Sequence, residues 1–212
     1  YSGTAAGISI AVNTSNQLVI DAGAGGQNAF TSVTVVNYQW NHIAIVRDGT
    51  TTKGYINGYL AGSNSFTPGA SIANVYIGRN YANTNKLNGF ISGFNVVNGV
   101  QLYTTSVSNG ALAFVPATTI PAQIVGNTAL ITCSSKGIRD LSSNARSITI
   151  NGSNTVSYTR SPFNDSWSVS FDNGNYMNVS GNNSGGWVTT APASSSIDIS
   201  TSDFTLEAWI YP

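Results

Sequence analysis

Hydrophobic and polar residues alternate with a period of two along most of the chain, which is the pattern of β-strands. β-Branched and aromatic residues are concentrated in the alternating stretches, which favours strands further. No stretch has a convincing helical period. The predicted strands are residues 7–13, 17–23, 31–36, 42–47, 53–58, 74–79, 90–97, 128–133, 147–152, 167–171, 176–180 and 203–212.

Asn-Gly and Asp-Gly pairs separate many of these strands. Such pairs favour tight type I′ hairpins, because both central residues of that turn need a positive φ. They include the pairs at residues 48–49, 57–58, 88–89, 98–99 and 151–152. Short strands with dense turns predict an all-β sandwich or barrel. In residues 42–47 both alternating sets are largely apolar, so the sheet there is predicted to be covered on both faces.

Two stretches interrupt the pattern of strands. Residues 116–126 contain Pro116 and Pro121, which cannot donate to a β-ladder, and are predicted to be an extended linker. Residues 173–196 are rich in Ser, Asn and Gly and are predicted to form long surface loops around the short strand at Tyr176.

The composition excludes several classes of protein. Only 8% of the 212 residues are charged, against about 25% in an average soluble protein. The formal net charge is zero, which argues against nucleic-acid binding and against an electrostatic membrane anchor. No run of 18 apolar residues occurs, so no membrane insertion is predicted. A neutral surface of Ser, Thr, Asn and Gly favours an extracellular or virion-exposed location.

The few reactive side chains do not form a recognisable catalytic set. His42 is the only histidine, and with no evident partner in the sequence it is expected to be a packed or half-exposed scaffold residue. Glu207 stands alone in "LEAW", and Asp203 lies at the strand entrance, where Asp commonly ends a loop. No Gly-x-Ser-x-Gly motif surrounds a serine. Cys133 lies in an apolar run and is expected to be a buried structural thiol. No catalytic residue is predicted.

Several stretches resemble one family. "WSVSFDNGNYMNVS" followed by "DFTLEAWIYP" resembles the N-terminal half of a concanavalin A-like domain of the laminin-G-like type. "WNHIAIVRDGTTTKGYINGYLAG" and "VYIGRNYANTNKLNGFISGFNVVNGVQLYT" resemble strands of its second half. Residues 127–163 resemble the lead-in of such domains in viral and marine microbial surface proteins. The resemblance implies a two-sheet antiparallel jelly-roll sandwich.

The two halves stand in the reverse of the family's order. Residues 1–115 resemble the second half and residues 127–212 the first, with the predicted linker at 116–126 between them. Two explanations fit this order. The two parts belong to neighbouring repeats of a tandem array, or they close one permuted domain.

The resemblance also implies candidate ligand sites. Sugar-binding members of this fold often hold calcium with loop Asp and Asn side chains. The matching residues here are Asp172, Asn173 and Asn175, which are equally typical of turns. Calcium is the one cofactor that the sequence suggests.

Aromatic and amide side chains in polar loops are the residues expected to bind carbohydrate. Trp187 and Asn183 lie in the most polar, Gly-rich stretch, and Tyr81 and Asn85 have the same character. The alternative for Trp187 is that its ring folds back over the core.

The resulting interpretation is a non-catalytic surface module for carbohydrate or surface recognition, or adhesion, within a repeat-containing fibre, decoration protein or adhesin. Its expected partners are glycans or cell-surface polysaccharide and neighbouring copies or repeats of the same protein. One alternative is a purely structural module of a filament or shell that binds no small ligand. A glycan-active hydrolase is the other, but the Glu-x-Asp-x-Glu signature of the related glucanases is missing from the sequence.

Overall fold

The computed structural model describes residues 8–21, 27–65, 74–80, 85–124, 126–164, 166–172, 174–180 and 202–212. Within these ranges the regular secondary structure is β-strand only. The strands are β1 (Ser9–Val12), β2 (Leu18–Asp21), β3 (Gln27–Phe30), β4 (Asn41–Asp48), β5 (Thr51–Ile56), β6 (Tyr59–Ser65), β7 (Asn74–Ile77), β8 (Gly89–Asn98), β9 (Thr128–Thr132), β10 (Ile148–Asn151), β11 (Val156–Ser157), β12 (Ser168–Phe171), β13 (Tyr176–Ser180) and β14 (Phe204–Tyr211).

The strands form one large and two small antiparallel sheets. The large sheet has the order β11-β12-β8-β14-β4-β5-β6, with β9 also paired to β8. The small sheets have the orders β1-β2-β3 and β10-β13-β7. Residues of both small sheets share one hydrophobic core with the large sheet. This layered arrangement confirms the predicted all-β jelly-roll sandwich.

Strand β14 lies between β4 and β8 and is antiparallel to both. Leu206 is opposite Ile45 of β4 on one side and Val96 of β8 on the other. Residues from both predicted parts, 1–115 and 127–212, therefore share one sheet. One sheet built from both parts is compatible with either explanation for the reversed order. The boundaries at residues 115–116 and 126–127 stay a prediction.

The inner face of the large sheet supplies the main core. Ile43 and Ile45 of β4 are buried there, as are Phe204 and Ala208 of β14. Phe30 of β3 is buried in the same cluster from the opposite layer. Because side chains alternate along a strand, the residues between these positions point to the outer face.

The outer face is covered by residues 99–116, an irregular stretch that we call the crossing segment. At its start the Leu102 amide donates to the Thr205 hydroxyl (3.0 Å), and at its end the Ala113 amide donates to the Gly58 carbonyl (2.8 Å). Tyr103 and Phe114 of this segment pack on a second hydrophobic cluster, formed by Ala44, Val46, Tyr55 and Leu60. All residues of β4 up to Arg47 are buried, which confirms the prediction that this sheet is covered on both faces.

The predicted strand at residues 31–36 is wrong. The strand ends at Phe30, and Val35 is buried although its amide donates to the Asn16 carbonyl outside any ladder (2.8 Å). The Ser32 amide donates to the carbonyl of Ala61 (2.9 Å). Val33 and Val35 reach the core from an irregular backbone, so their alternation imitates a strand.

The predicted turn at Asn88-Gly89 is also wrong. Gly89 begins β8 and is opposite Phe171 of β12. A Cβ on Gly89 would overlap the carbonyl oxygen of Tyr211. The glycine is therefore needed for a close backbone approach rather than for a turn. Cys133, by contrast, is buried as expected, and burial raises the pKa of its thiol.

The Asn57-Gly58 pair forms the predicted tight turn, with φ of 52° and 81°. The turn joins β5 to β6 and lies under the end of the crossing segment. A Cβ on Gly58 would overlap the carbonyl oxygen of Phe114. Gly110 has nearly the same φ, 82°, but nothing lies within 4 Å of the position of its Cβ.

We expect Gly58→Ala to destabilise the protein more than Gly110→Ala. Both substitutions place an L side chain at positive φ, which costs about 1–2 kcal/mol. Gly58→Ala adds roughly 1–3 kcal/mol, because the crossing segment must move away from the new methyl group. Urea unfolding of the two variants measures the difference. Equal losses would show that the crossing segment does not press on this turn.

Candidate functional site

Glu207 is a buried carboxylate on the outer face of the large sheet. It lies in the middle strand β14, opposite Ala44 of β4 and Asn95 of β8, and is 4% exposed. Its Oε1 accepts a hydrogen bond from the Asn95 amide (3.0 Å). Its Oε2 accepts a short hydrogen bond from the Tyr103 hydroxyl and lies 3.3 Å from His42 Nε2. Three strands and the crossing segment thus meet at one carboxylate.

The hydrogen bonds decide the charge of Glu207. Burial by itself raises the pKa of a carboxyl group. Hydrogen bonds from His42, Tyr103 and Asn95, together with electrostatic attraction to His42, outweigh the effect of burial. The pKa of Glu207 is therefore below 4.5, its ordinary value. The pKa of Tyr103 is raised, by burial, by the charge of Glu207 and by their hydrogen bond. Tyr103 therefore remains a protonated donor facing an ionised acceptor.

Aromatic rings close the space around this carboxylate. Tyr103 stacks on Phe114 with ring centroids 3.6 Å apart. His42 is 3% exposed and makes edge contacts with Trp209 (5.4 Å) and Phe114 (5.8 Å). Its Nδ1 is buried without a hydrogen-bond partner. The cluster is therefore closely packed, rather than a cleft.

Two expectations from the sequence are corrected here. His42 has a partner and Glu207 is not isolated, because the register of β14 against β4 brings together residues that are 165 positions apart. Neither residue carries a local signal for the other. His42 was also expected to be a packed residue of a sheet strand, and its burial agrees with this expectation.

The geometry makes this cluster a structural anchor. A general acid must be protonated at the working pH, whereas three groups hold Glu207 ionised. A retaining glycosidase needs a second carboxylate about 5–5.5 Å away, whereas Glu207 contacts a histidine, a tyrosine and an asparagine. Asp203 at the strand entrance instead accepts from the Gly49 amide (2.7 Å) and from Gln101 (2.9 Å), which ties loops together.

The residues predicted to bind calcium form a turn. The Asn175 side-chain amide donates to the Asp172 carboxylate (2.7 Å), and the Asn175 backbone amide donates to the Asp172 carbonyl (2.9 Å). Asn173 lies outside the described residues. The Lys86 ammonium lies against Gly174 in this turn, and its positive charge opposes a cation there. Within the ranges given above, no group of three or more His, Cys, Asp or Glu residues could hold a metal.

Of the residues predicted to bind carbohydrate, only Asn85 is described, and it is exposed. The Asn85 backbone amide donates to the Asn80 side chain (3.2 Å) in a hairpin that follows β7. Tyr81, Trp187 and Asn183 lie outside the described residues. The nearby rings of Tyr76 and Tyr176 hold the guanidinium of Arg79, at 4.4 and 3.8 Å from their centroids.

A row of aromatic rings crosses the outer face at the end of the large sheet remote from Asp203. We call the three residues Trp40, Tyr211 and Phe90 the aromatic row. Tyr211 is in β14, Phe90 is in its neighbour β8, and Trp40 directly precedes its other neighbour β4. All three are half-buried. The Tyr211 ring is 5.6 Å from the Trp40 ring and 6.1 Å from the Phe90 ring. Their alternation with buried inner-face residues is visible in the sequence, but only the strand order makes them neighbours.

The loop between β11 and β12 adds an open groove beside this row. The groove has a volume of about 510 Å³ and is lined by Tyr158, Thr159, Ser161, Phe163 and Asn164. Tyr158 is 49% exposed, and its ring contacts Trp167 (5.2 Å). Phe163 anchors the loop on Trp209 of β14 (5.8 Å). Hydroxyl, amide and aromatic groups therefore converge on one concave surface.

The comparison with protein families agrees with this architecture. Residues 1–105, which include β1 to β8 and Tyr103, match a laminin-G-like family model of the concanavalin A-like lectin/glucanase superfamily. These residues, just under half of the chain, are similar to a laminin-G-like domain. Its superfamily is named for lectins and glucanases, so the match supports a carbohydrate-binding or adhesion-type module in general. No curated protein and no solved structure gives a significant match. In the part of the chain that the structure describes, no helix has the length and apolar character of a membrane span.

We expect Glu207→Gln to remove part of the acid sensitivity of the fold. The pKa of Glu207 is lower in the folded protein than its ordinary value of 4.5. The carboxylate therefore contributes its full stabilisation at pH values above 4.5, and this stabilisation is lost as the pH falls through the folded-state pKa. Urea midpoints from about pH 6 to about pH 3 should therefore fall more steeply for the wild type than for Glu207→Gln.

The matched variant is Tyr103→Phe, which keeps the stack on Phe114 and removes one donor. Its acid sensitivity should lie between those of the wild type and Glu207→Gln, with a loss of about 1.5–3 kcal/mol at neutral pH. Superimposable curves for all three proteins would contradict the role given to Glu207.

Proposed function

We propose that this laminin-G-like chain is a non-catalytic recognition module of an extracellular or virion surface, and that it binds glycans at the outer face of its large sheet. Small-ligand sites are concave, lined with aromatic rings and supplied with a few converging polar groups. The aromatic row of Trp40, Tyr211 and Phe90 beside the groove has this character. This juxtaposition is the observation that carries the proposal.

The state of Glu207 supports a non-catalytic role. The carboxylate is buried under the crossing segment and uses both oxygens on protein donors. Cleaving a glycosidic bond at this position would require Tyr103 and Phe114 to leave a stacked arrangement. The described side chains that line the groove, in turn, carry no carboxylate.

The composition supports the proposed location. With 8% charged residues and no net charge, the surface is built from hydroxyl and amide groups, which suit contacts with the hydroxyls of a saccharide. Calcium at Asp172, Asn173 and Asn175, and further sugar contacts from Trp187, Tyr81, Asn85 and Asn183, remain part of the proposal. Both are tested by the same measurements.

We expect the protein to bind a subset of glycans on an array, and Trp40→Ala to lose that binding because one wall of the aromatic row is removed. Loss of a stacking ring costs roughly 1–3 kcal/mol, by analogy with bases on aromatic platforms. Tyr59→Ala is the matched control, since Tyr59 is 42% exposed at the far edge of the sheet.

Each array is run with calcium and with a chelator, and each variant is checked by thermal unfolding. Binding that needs calcium would support the site at Asp172. Binding lost in Trp187→Ala but kept in Trp40→Ala would move the site to the loop predicted from the sequence. A wild type that binds no glycan in either condition would contradict glycan recognition.

A second function, assembly with neighbouring copies, is favoured by a separate observation. Val115 is 79% exposed, Leu112 is 47% exposed, and Leu112 forms a β-bridge with the half-exposed Tyr59. These three residues form an apolar patch on the crossing segment and the β5–β6 hairpin. Exposed apolar patches commonly mark protein–protein contacts.

If this patch mediates assembly, the wild type should associate as its concentration rises, and Val115→Asp should shift it to monomer. Val36→Asp is the control, because Val36 is 47% exposed outside the patch. Sedimentation velocity over a concentration series distinguishes the cases. A wild type that stays monomeric at every concentration would remove the support for assembly through this patch.

A further inference from the structure

Arg160 places a positive charge over the aromatic row. Its guanidinium carbon lies 5.3 Å from the centroid of the Phe90 ring and 5.5 Å from that of Tyr211, within the range of cation–π contacts. The residue is exposed. Its backbone is fixed on both sides, because its amide donates to the Ser157 hydroxyl (3.2 Å) and its carbonyl accepts from the Ser168 hydroxyl. The loop thus holds the backbone of Arg160 in a defined place beside the two rings.

The guanidinium has capacity for a ligand. Among the residues that the structure describes, no carboxylate forms an ion pair with Arg160. Cation–π contact does not use up the N–H donors of a guanidinium, and its planar fork of donors matches a carboxylate.

The surroundings of Arg160 limit what that ligand can be. The described residues that line the adjoining groove are uncharged, and they include the hydroxyls of Thr159 and Ser161 and the amide of Asn164. The chain as a whole has no net charge. A polyanion such as nucleic acid needs several cations in a row. One cation, two rings and several neutral hydrogen-bonding groups instead suit a ligand with one negative charge and many hydroxyls.

We propose that the surface formed by Arg160, the rings of Phe90 and Tyr211 and the adjoining groove binds an acidic saccharide, with a sugar carboxylate on the Arg160 guanidinium. The sugar ring lies along Phe90 and Tyr211, and hydroxyl groups of the same or the next sugar meet Thr159, Ser161 and Asn164. The volume of about 510 Å³ falls in the range of about 300–1,000 Å³ that small-ligand sites occupy. This inference rests on the proposed glycan recognition. It adds the class of the ligand, an acidic saccharide, and the side chain that binds the carboxylate, Arg160.

The test compares saccharides that differ only in charge. The probes are glycosides and short oligomers of glucuronic, galacturonic and sialic acid, each with its methyl ester, together with neutral hexose oligomers. Affinity is measured by calorimetry in a chelator, so that calcium held by an acidic sugar plays no part. Wild type, Arg160→Gln and Arg160→Lys are compared with Arg139→Gln, in which another exposed arginine is removed.

The wild type should bind at least one acid about tenfold or more tightly than its ester, since a charge-assisted bidentate contact is worth about 1.5–3 kcal/mol. Arg160→Gln should lose this preference, Arg160→Lys should keep only part of it, and Arg139→Gln should behave as wild type. The preference should also weaken as salt is added. The indole N–H signal of Trp40 in NMR spectra should shift on titration and thereby locate the site.

The possible failures are distinct. Binding of neutral and esterified sugars with equal affinity would overturn the acidic-saccharide inference and leave glycan recognition standing. Binding of no saccharide at millimolar concentration would overturn both. A preference for acids that survives Arg160→Gln would place the carboxylate elsewhere. Binding of a glutamate-rich peptide in place of the acidic sugars, lost in Arg160→Gln, would also overturn the inference and make the surface a protein-binding one.

Discussion

The pairing of β14 with two strands at once is the constraint on which the rest of this structure depends. Phe204–Tyr211 bonds to β4 along one edge and to β8 along the other, and its inner side chains complete the core. The same register delivers Glu207 to His42 and Asn95, and Tyr211 to Phe90. A slip of one residue would exchange the two faces of this strand and put a carboxylate into the main core.

The outer face is consequently divided into two regions of different chemistry. Near Glu207, hydrogen bonds and stacked rings fasten the crossing segment to the sheet and exclude solvent. Toward the far end of β14, the crossing segment no longer covers the strands, and the loop that carries Arg160 and the groove occupies the border. Stability is concentrated in the first region, whereas the second offers rings and polar groups to a ligand. One strand supplies residues to both regions through alternate positions.

Local chemistry in the sequence was sufficient for most of the fold. Alternation located most of the strands but not β3, β6 or β11, and Asn57-Gly58 formed the turn that positive φ demands. The strand predicted at residues 31–36 was wrong because buried valines can alternate on an irregular backbone. The turn predicted at Gly89 was wrong because a close backbone approach selects glycine as strongly as a turn does. The Glu207 cluster and the aromatic row have no local signature. Each is created by strand order, which joins distant parts of the chain.

The position of β14 in the chain has a consequence for how the protein folds. Its partners β4 and β8 precede it by more than a hundred residues, so the centre of the large sheet closes only after a long loop has been ordered. Until then the facing edges of β4 and β8, both rich in β-branched residues, have no neighbour in the sheet. Such edges pair readily with other chains. The strand that completes the sheet is therefore also the one that protects the nascent protein from aggregation.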